Sequence, residues 1–229
     1  MNVSNNCYIT NNNELQDLFT SKKILLVGPS ETLISDCNLI NIKNYDYICH
    51  LNNHIHHSPI KKCDIIYHNL NTGQYNNNNV NYWIQNGIRI IFSIGLDPLN
   101  ENNQAFKTED YSNKKFEEFK KRSNNKIKFN YFSPEFFKGW SEKLNSRPST
   151  GTMAMLHILS FNPKELAVIG IDFYKTSYHY NKGNSLKNRV KGKNIGMHNF
   201  DECEKKFKEY ARNLPNFTPI GKLKEIIYE

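Results

Sequence analysis

Lys23-Ile24-Leu25-Leu26-Val27-Gly28-Pro29-Ser30 decides the fold. Ile24 to Val27 is an unbroken apolar run, too short for a helix, with no alternation of polar and apolar positions. Such a run is buried on both faces, as in a parallel sheet, and it ends on a glycine where the chain turns into a loop. Runs of the same kind recur at Tyr47 to Leu51, Asp64 to Tyr67, Ile88 to Ile94, Lys126 to Tyr131 and Leu166 to Ile171. Helix patterns fall between them at about 32–39, 112–122 and 150–160, and two more follow at about 200–213 and 220–227. This order predicts an α/β chain with a Rossmann-like, doubly wound, mainly parallel sheet, whose sites gather at the carboxyl ends of the strands. No repeat with a period of about 20–50 residues is present, which excludes solenoids and propellers.

The 229 residues suit one domain, residues 1–229, rather than two. Residues 175–197 stand apart. They are long, basic and glycine-containing, with no sustained period, and Tyr178, His179 and Tyr180 within them favour an active-site lid over a disordered segment. Hydrophobic residues make up 38% of the chain, with 14 Phe and 13 Tyr, which excludes wholesale disorder. The Asn-rich tracts at 11–13 and 76–79 read as solvated connections.

The net charge of +8 points to an anionic partner, whether nucleic acid, an acidic surface or a nucleotide-sugar, without choosing among them. Lys61-Lys62, Lys120-Lys121-Arg122 and Lys205-Lys206 are each interrupted by acids or aromatics and read as solvated faces. No nucleic-acid-binding motif accompanies them. Cys7, Cys37, Cys49, Cys63 and Cys203 form no C-x-x-C pair and no zinc spacing, so they read as reduced small hydrophobes. No basic-then-apolar leader is present, nor the ~18 apolar residues of a membrane span. A reducing, cytoplasm-like compartment is the expectation.

Four elements carry candidate chemistry. Gly28-Pro29-Ser30 makes a strand-to-helix turn but lacks the further glycines of a dinucleotide fingerprint and the Gly-Lys-Ser/Thr ending of a phosphate loop. In Arg147-Pro148-Ser149-Thr150-Gly151-Thr152, Ser149 or Thr150 can cap the following helix, and the first-turn amides suit a carboxylate or phosphate. His157, on the apolar side of that helix, reads as a core residue. Leu166 to Tyr174 is a central strand delivering Asp172 and Tyr174 at its carboxyl end. Asn199 with Glu202 is a variant of the capping box, followed by a helical stripe of Phe200, Cys203, Phe207, Tyr210, Ala211 and Leu214. His198 sits just before this helix, where the dipole disfavours imidazolium while Asp201, Glu202 and Glu204 oppose that effect.

Taken together, Gly28-Pro29-Ser30, Arg147-Pro148-Ser149-Thr150-Gly151, Gly170-Ile171-Asp172-Phe173-Tyr174, Tyr178-His179-Tyr180 and His198 resemble the sialyltransferases. The Gly-Ile-Asp-Phe-Tyr strand and the Arg-x-x-Ser/Thr-Gly helix entry look like the bacterial enzymes of glycosyltransferase family 42. Pro148-Ser149-Thr150-Gly151 and His179-Tyr180 look like the sialylmotifs of the animal enzymes, family 29. The resemblance implies a single-domain GT-A-like variant of the fold and an inverting, metal-independent transfer of sialic acid, or a related nonulosonic sugar, from a CMP-sugar to a glycan hydroxyl. It implies no cofactor and no metal, with the CMP-sugar and a glycan acceptor as partners, no nucleic acid and no integral membrane segment, and it is compatible with a homo-oligomer.

By the same resemblance, His198 is the general base, and Tyr174 and Tyr180 hydrogen-bond the departing phosphate. Asn52 contacts the nucleotide. Ser149, Thr150 and Gly151 hold the donor carboxylate or ribose, Gly28 and Ser30 lie near the phosphate, and Arg147, Asp172 and His179 complete the donor site. The chain departs from the family at Val27 and Pro29, where the bacterial loop carries an asparagine, and at His50, where the animal motif carries an arginine. Transfer of a Kdo-type sugar from a CMP donor would use the same pocket. A basic nucleic-acid-binding or scaffold protein on an inactive transferase fold is the reading from a different class, and it requires salt-sensitive polynucleotide affinity.

Overall fold

The structure, a computed structural model, describes residues 12–69, 77–93, 117–179 and 199–229. Among them, strands β1 (Lys23–Val27), β2 (Tyr47–Leu51), β3 (Ile65–His68), β4 (Ile90–Ser93), β5 (Lys128–Tyr131), β6 (Glu165–Ile169) and β7 (Phe217–Pro219) form one sheet. Its order is β5-β4-β3-β2-β1-β6-β7, with every pairing parallel. The helices are α1 (Asn12–Phe19), α2 (Leu33–Asp36), α3 (Asn77–Gln85), α4 within 117–123, α5 (Pro134–Lys143), α6 (Thr150–Ser160), α7 (Phe200–Ala211) and α8 (Lys222–Tyr228).

Strands β1, β2, β3, β4 and β6 are buried on both faces, which explains why they read as apolar runs, whereas the edge strand β5 exposes Lys128 and buries Phe129. Ile24 and Leu26 of β1 join a core with Phe19, the apolar face of α6, Phe207 of α7 and Ile226 of α8. Leu25 and Val27 point the other way, to Leu33, Ile48 and Ile169. Farther along that second face, Trp83 of α3 and Phe119 of α4 cover Ile66, Ile91 and Phe129. The chain lays down β1, winds outward to β5, and returns to place β6 on the opposite side of β1. The reversal falls between β1 and β6, and in open sheets the crevice at such a point is where ligands bind.

Three helices and a strand went unread in the sequence. The Asn-rich tracts are helix entries instead of solvated connections: α1 starts at Asn12 and α3 at Asn77. Asparagine is tolerated in a first turn, and apolar residues three apart then decide the matter, with Val80 and Trp83 of α3 wholly buried. In α5, Ser133 Oγ accepts from the Phe136 amide at 3.1 Å and Pro134 opens the helix, a start signal that the sequence displays in full. The short edge strand β7 ends in a proline, which only an edge admits. His157 is a core residue as expected, with Tyr67 Oη 2.9 Å from its Nδ1. No helix among the described residues is long and apolar enough to cross a membrane.

Two glycines close the reversal. Gly28 N–H donates to Ile169 O at 2.9 Å and Ser30 N–H to Gly170 O at 2.8 Å. The loops leaving β1 and β6 cross so tightly that a Cβ on Gly28 would overlap the Gly170 carbonyl, and one on Gly170, at φ +64°, would overlap the Gly28 carbonyl. Gly28→Ala should therefore cost about 3 kcal/mol or more. Gly87, at φ +73° with open space around it, should cost only about 1 kcal/mol on the same change. Urea unfolding of the two variants measures the difference, and equal losses would contradict this packing.

The interior also seals in neutral imidazoles. Burial lowers His50 to about 4, and His68 and His157 each to about 3. These folded values lie below the unfolded value near 6.5, so the unfolded chain binds more protons in the interval between them. Stability is therefore full above about pH 6.5 and is lost as pH falls from there, by about 2 kcal/mol per histidine on reaching pH 5. Urea midpoints at pH 7.5 and pH 5 check this, and a flat profile would contradict it.

Candidate functional site

The crevice at the reversal holds a cleft of about 530 Å³ counted to its open mouth. Four segments build it: the turn after β1, the start of α6, the stretch following β6 and the end of β2.

The first is fixed by a buried carboxylate. Asp36, only 3% exposed, accepts from the Gly170 amide at 3.1 Å and from Thr32 Oγ1 at 3.0 Å. Thr32 Oγ1 in turn lies 2.9 Å from Ser30 Oγ, so the serine hydroxyl at the cleft wall is held from below. Burial raises the Asp36 pKa, against the pull of the two hydrogen bonds.

At the second, Ser149 is the cap of α6, accepting the Thr152 amide at 3.2 Å, and its hydroxyl lies 3.1 Å from Thr152 Oγ1. The helix begins so close to β2 that a Cβ on Gly151 would lie 3.1 Å from Leu51 Cδ1. Gly151 therefore serves helix packing as well as the cleft. With the Thr152 amide taken by the cap, the Thr150 and Gly151 amides are the helix's remaining first-turn donors.

The third segment is strained. Phe173 and Tyr174 have φ of +52° and +65°, a left-handed conformation that costs of order 1–3 kcal/mol per residue and clusters at functional sites. Across the cleft, Asn52 has φ +49° and accepts the Asn69 amide on its Oδ1 at 3.0 Å. Asp172, 4% exposed, accepts the Thr176 amide at 2.9 Å and the Thr176 hydroxyl. Burial raises its pKa and the Thr176 bonds oppose the rise. Burial likewise raises the Tyr174 phenol, which keeps it a protonated donor at neutral pH. The strand-like stretch beyond Thr176 folds back on the β1 turn. Tyr178 forms an antiparallel bridge with Ser30, the His179 amide donates to Pro29 O at 3.0 Å, and Glu31 N–H donates to Thr176 Oγ1 at 3.2 Å.

Of the residues singled out in the sequence, Ser30, Asn52, Ser149, Thr150, Gly151, Asp172 and Tyr174 converge on this one cleft. Gly28 lies in the crossing beneath it, while Arg147, half-buried, and His179 do not line it. Asp172 is committed to the Thr176 turn. Tyr180 and His198 lie outside the described residues, as does the stretch 180–197 of the segment read as a lid. The neighbour of His198 in the chain is well placed: the Asn199 amide donates to Ser146 Oγ at 2.8 Å, and Asn199 Oδ1 caps α7 by accepting the Glu202 amide at 3.1 Å. Phe200 packs on Tyr174 with ring centroids 4.6 Å apart, and Lys175 pairs with Glu204 at 2.7 Å. Tyr178 and Thr176 also line the cleft and were missed. The spacing of Asp172 and Thr176, four apart with a hydroxyl to close the turn, was a readable signal.

No protein-family model and no curated protein matches the chain. Solved structures do match. The sialyltransferase CstII from Campylobacter jejuni, in complex with cytidine-5'-monophosphate, superposes with a TM-score of 0.57 at 18% identity, over 88% of this chain and 80% of that one. A mammalian sialyltransferase in complex with Gal-beta-1-3GalNAc-ortho-nitrophenol gives 0.51 at 12% identity, over 89% and 71%. An alpha-2,3-sialyltransferase from Campylobacter jejuni in apo form gives 0.50 at 15%, over 87% and 75%. The fold is that of the sialyltransferases. Among the described residues, no group of three or more His, Cys, Asp or Glu could hold a metal ion.

Within this sialyltransferase fold, Ser149 serves Thr152 twice, through its amide and its hydroxyl. Ser149→Ala should lower stability by about 1 kcal/mol, with Ser149→Thr recovering most of it. Thermal melts of the pair measure this, and a neutral alanine variant would show that another group caps α6.

Proposed function

We propose that the protein is an inverting glycosyltransferase that moves sialic acid, or a related nonulosonic sugar, from a CMP-sugar to a glycan hydroxyl without a metal. The observation that carries the proposal is the convergence of Ser30, Asn52, Ser149 to Gly151 and Tyr174 on one cleft at the sheet reversal. The same fold carries cytidine-5'-monophosphate in the Campylobacter jejuni enzyme.

Only neutral donors are needed at such a leaving group. The anomeric carbon of a nonulosonic sugar is tertiary and ionises readily toward an oxocarbenium-like state. The protein then has to stabilise the departing phosphate and orient the incoming alcohol. Tyr174, protonated, and the first-turn amides of α6 are donors suited to the phosphate. Tyr178 lines the same cleft and joins Tyr180 as a candidate for the second phenol.

His198 is the general base of this proposal. It takes the acceptor hydroxyl proton as the new glycosidic bond forms on the face opposite the departing phosphate. Two contacts support the role: α7 begins against Ser146, and Phe200 packs on Tyr174. Both sit within two residues of His198 in the chain. The four described cysteines are free thiols, three of them buried, which fits action in a reducing, cytoplasm-like compartment. The glycan acceptor is the second partner.

The test is incubation with CMP-linked sialic acid, and separately CMP-linked Kdo, in the presence of EDTA, with released CMP and transferred sugar measured. Transfer should persist in EDTA and fall by at least about a hundredfold in His198→Ala, with the thermal shift caused by CMP retained. Polynucleotide affinity in place of CMP binding, or transfer unchanged in His198→Ala, would overturn the proposal.

A further inference from the structure

His54 and His179, close in the chain to the cleft residues Asn52 and Tyr178, meet beside the cleft, and neither has a place in the proposed chemistry. His54 lies in the single turn Asn52–His56 that follows β2, two residues beyond Asn52, and is 2% exposed. His179 directly follows Tyr178. Their Nε2 atoms are 2.8 Å apart, with the rings edge to face at 83° and centroids 5.1 Å apart. Two ring nitrogens at that distance share one proton: one imidazole carries Nε2–H and donates, and the other must be the Nδ1–H tautomer so that its Nε2 accepts.

The segment bearing His179 is otherwise held along its length by the 29–31 turn, through the Ser30–Tyr178 bridge, the His179 amide on Pro29 O and the Glu31 amide on Thr176 Oγ1. All of these lie on the β1 side of the cleft. The imidazole pair ties the same segment to the β2 side.

We propose that His54 and His179 are positioning residues, whose shared proton clasps residues 176–179 to the end of β2 and so holds Tyr178 on the cleft. That Tyr178 meets a leaving phosphate rests on the function proposed above; the clasp itself does not.

Burial first, and then the nearby His50, His179 and His57 rings and Lys61, hold His54 neutral far below the ordinary histidine range. His54 therefore takes part in the bond as a neutral ring, whichever of its two tautomers it adopts.

The test uses the full chain. Nitrogen-15 spectra of histidine-labelled protein should show one Nε2–H and one Nδ1–H imidazole coupled across a hydrogen bond. The coupling should be lost in His179→Ala while circular dichroism reports a folded chain. Two uncoupled imidazoles in the wild type would overturn the proposal whatever the enzyme does. On activity, His179→Ala should lower kcat/KM about threefold to tenfold at pH 7.5, the worth of one hydrogen bond, with Tm within a few degrees of wild type. His179→Gln, which can still donate to His54, should recover most of the rate lost in His179→Ala. No rate loss in His179→Ala, no recovery in His179→Gln, or a rate loss that only follows Tm, would also overturn the clasp. Absence of transfer in the wild type with the coupled spectrum present would count against the proposed function alone.

Discussion

The crossing of the two chain segments that leave β1 and β6 is the constraint on which the rest depends. Each strand delivers a glycine to the same point, and each glycine's missing Cβ is the space that the other's carbonyl occupies. That contact sets how close the 28–30 turn and the 170–174 stretch can come. Asp36 then fixes both from below by accepting the Gly170 amide and bonding Thr32 beneath Ser30. The cleft is the gap left above this knot, walled on its third side by α6, which Gly151 lets approach Leu51.

Around the gap the polar groups are mostly neutral donors. Asp172 is the one charged side chain among the lining residues, and Thr176 satisfies it twice. That leaves hydroxyls, amides and phenols facing the cleft. A site of this kind accepts an anion without burying a fixed counter-charge, whose desolvation would be costly. The left-handed backbone at Phe173, Tyr174 and Asn52 indicates that the surrounding packing over-determines the cleft's shape.

Much of this was legible in the residues. Apolar runs gave most of the parallel strands, because burial on both faces leaves little alternation. Ser149 and Asn199 were readable as caps, because capping chemistry is local. What escaped depended on partners far along the chain. Asn77 to Asn79 read as solvated until Val80 and Trp83 are seen packed under the sheet with Phe119. Tyr178 was not readable as a cleft residue, since its place there depends on the register of its bridge to Ser30, far along the chain. The His54–His179 contact joins residues 125 apart, and no local pattern announces it.

A crystal structure of the protein soaked with CMP tests the central claim most directly. The nucleotide should lie in the cleft above the Gly28–Gly170 crossing, with its phosphate within hydrogen-bond reach of the α6 first-turn amides and the Tyr174 phenol. A nucleotide bound elsewhere on the molecule with this cleft empty, or no bound nucleotide at saturating concentration, would contradict it.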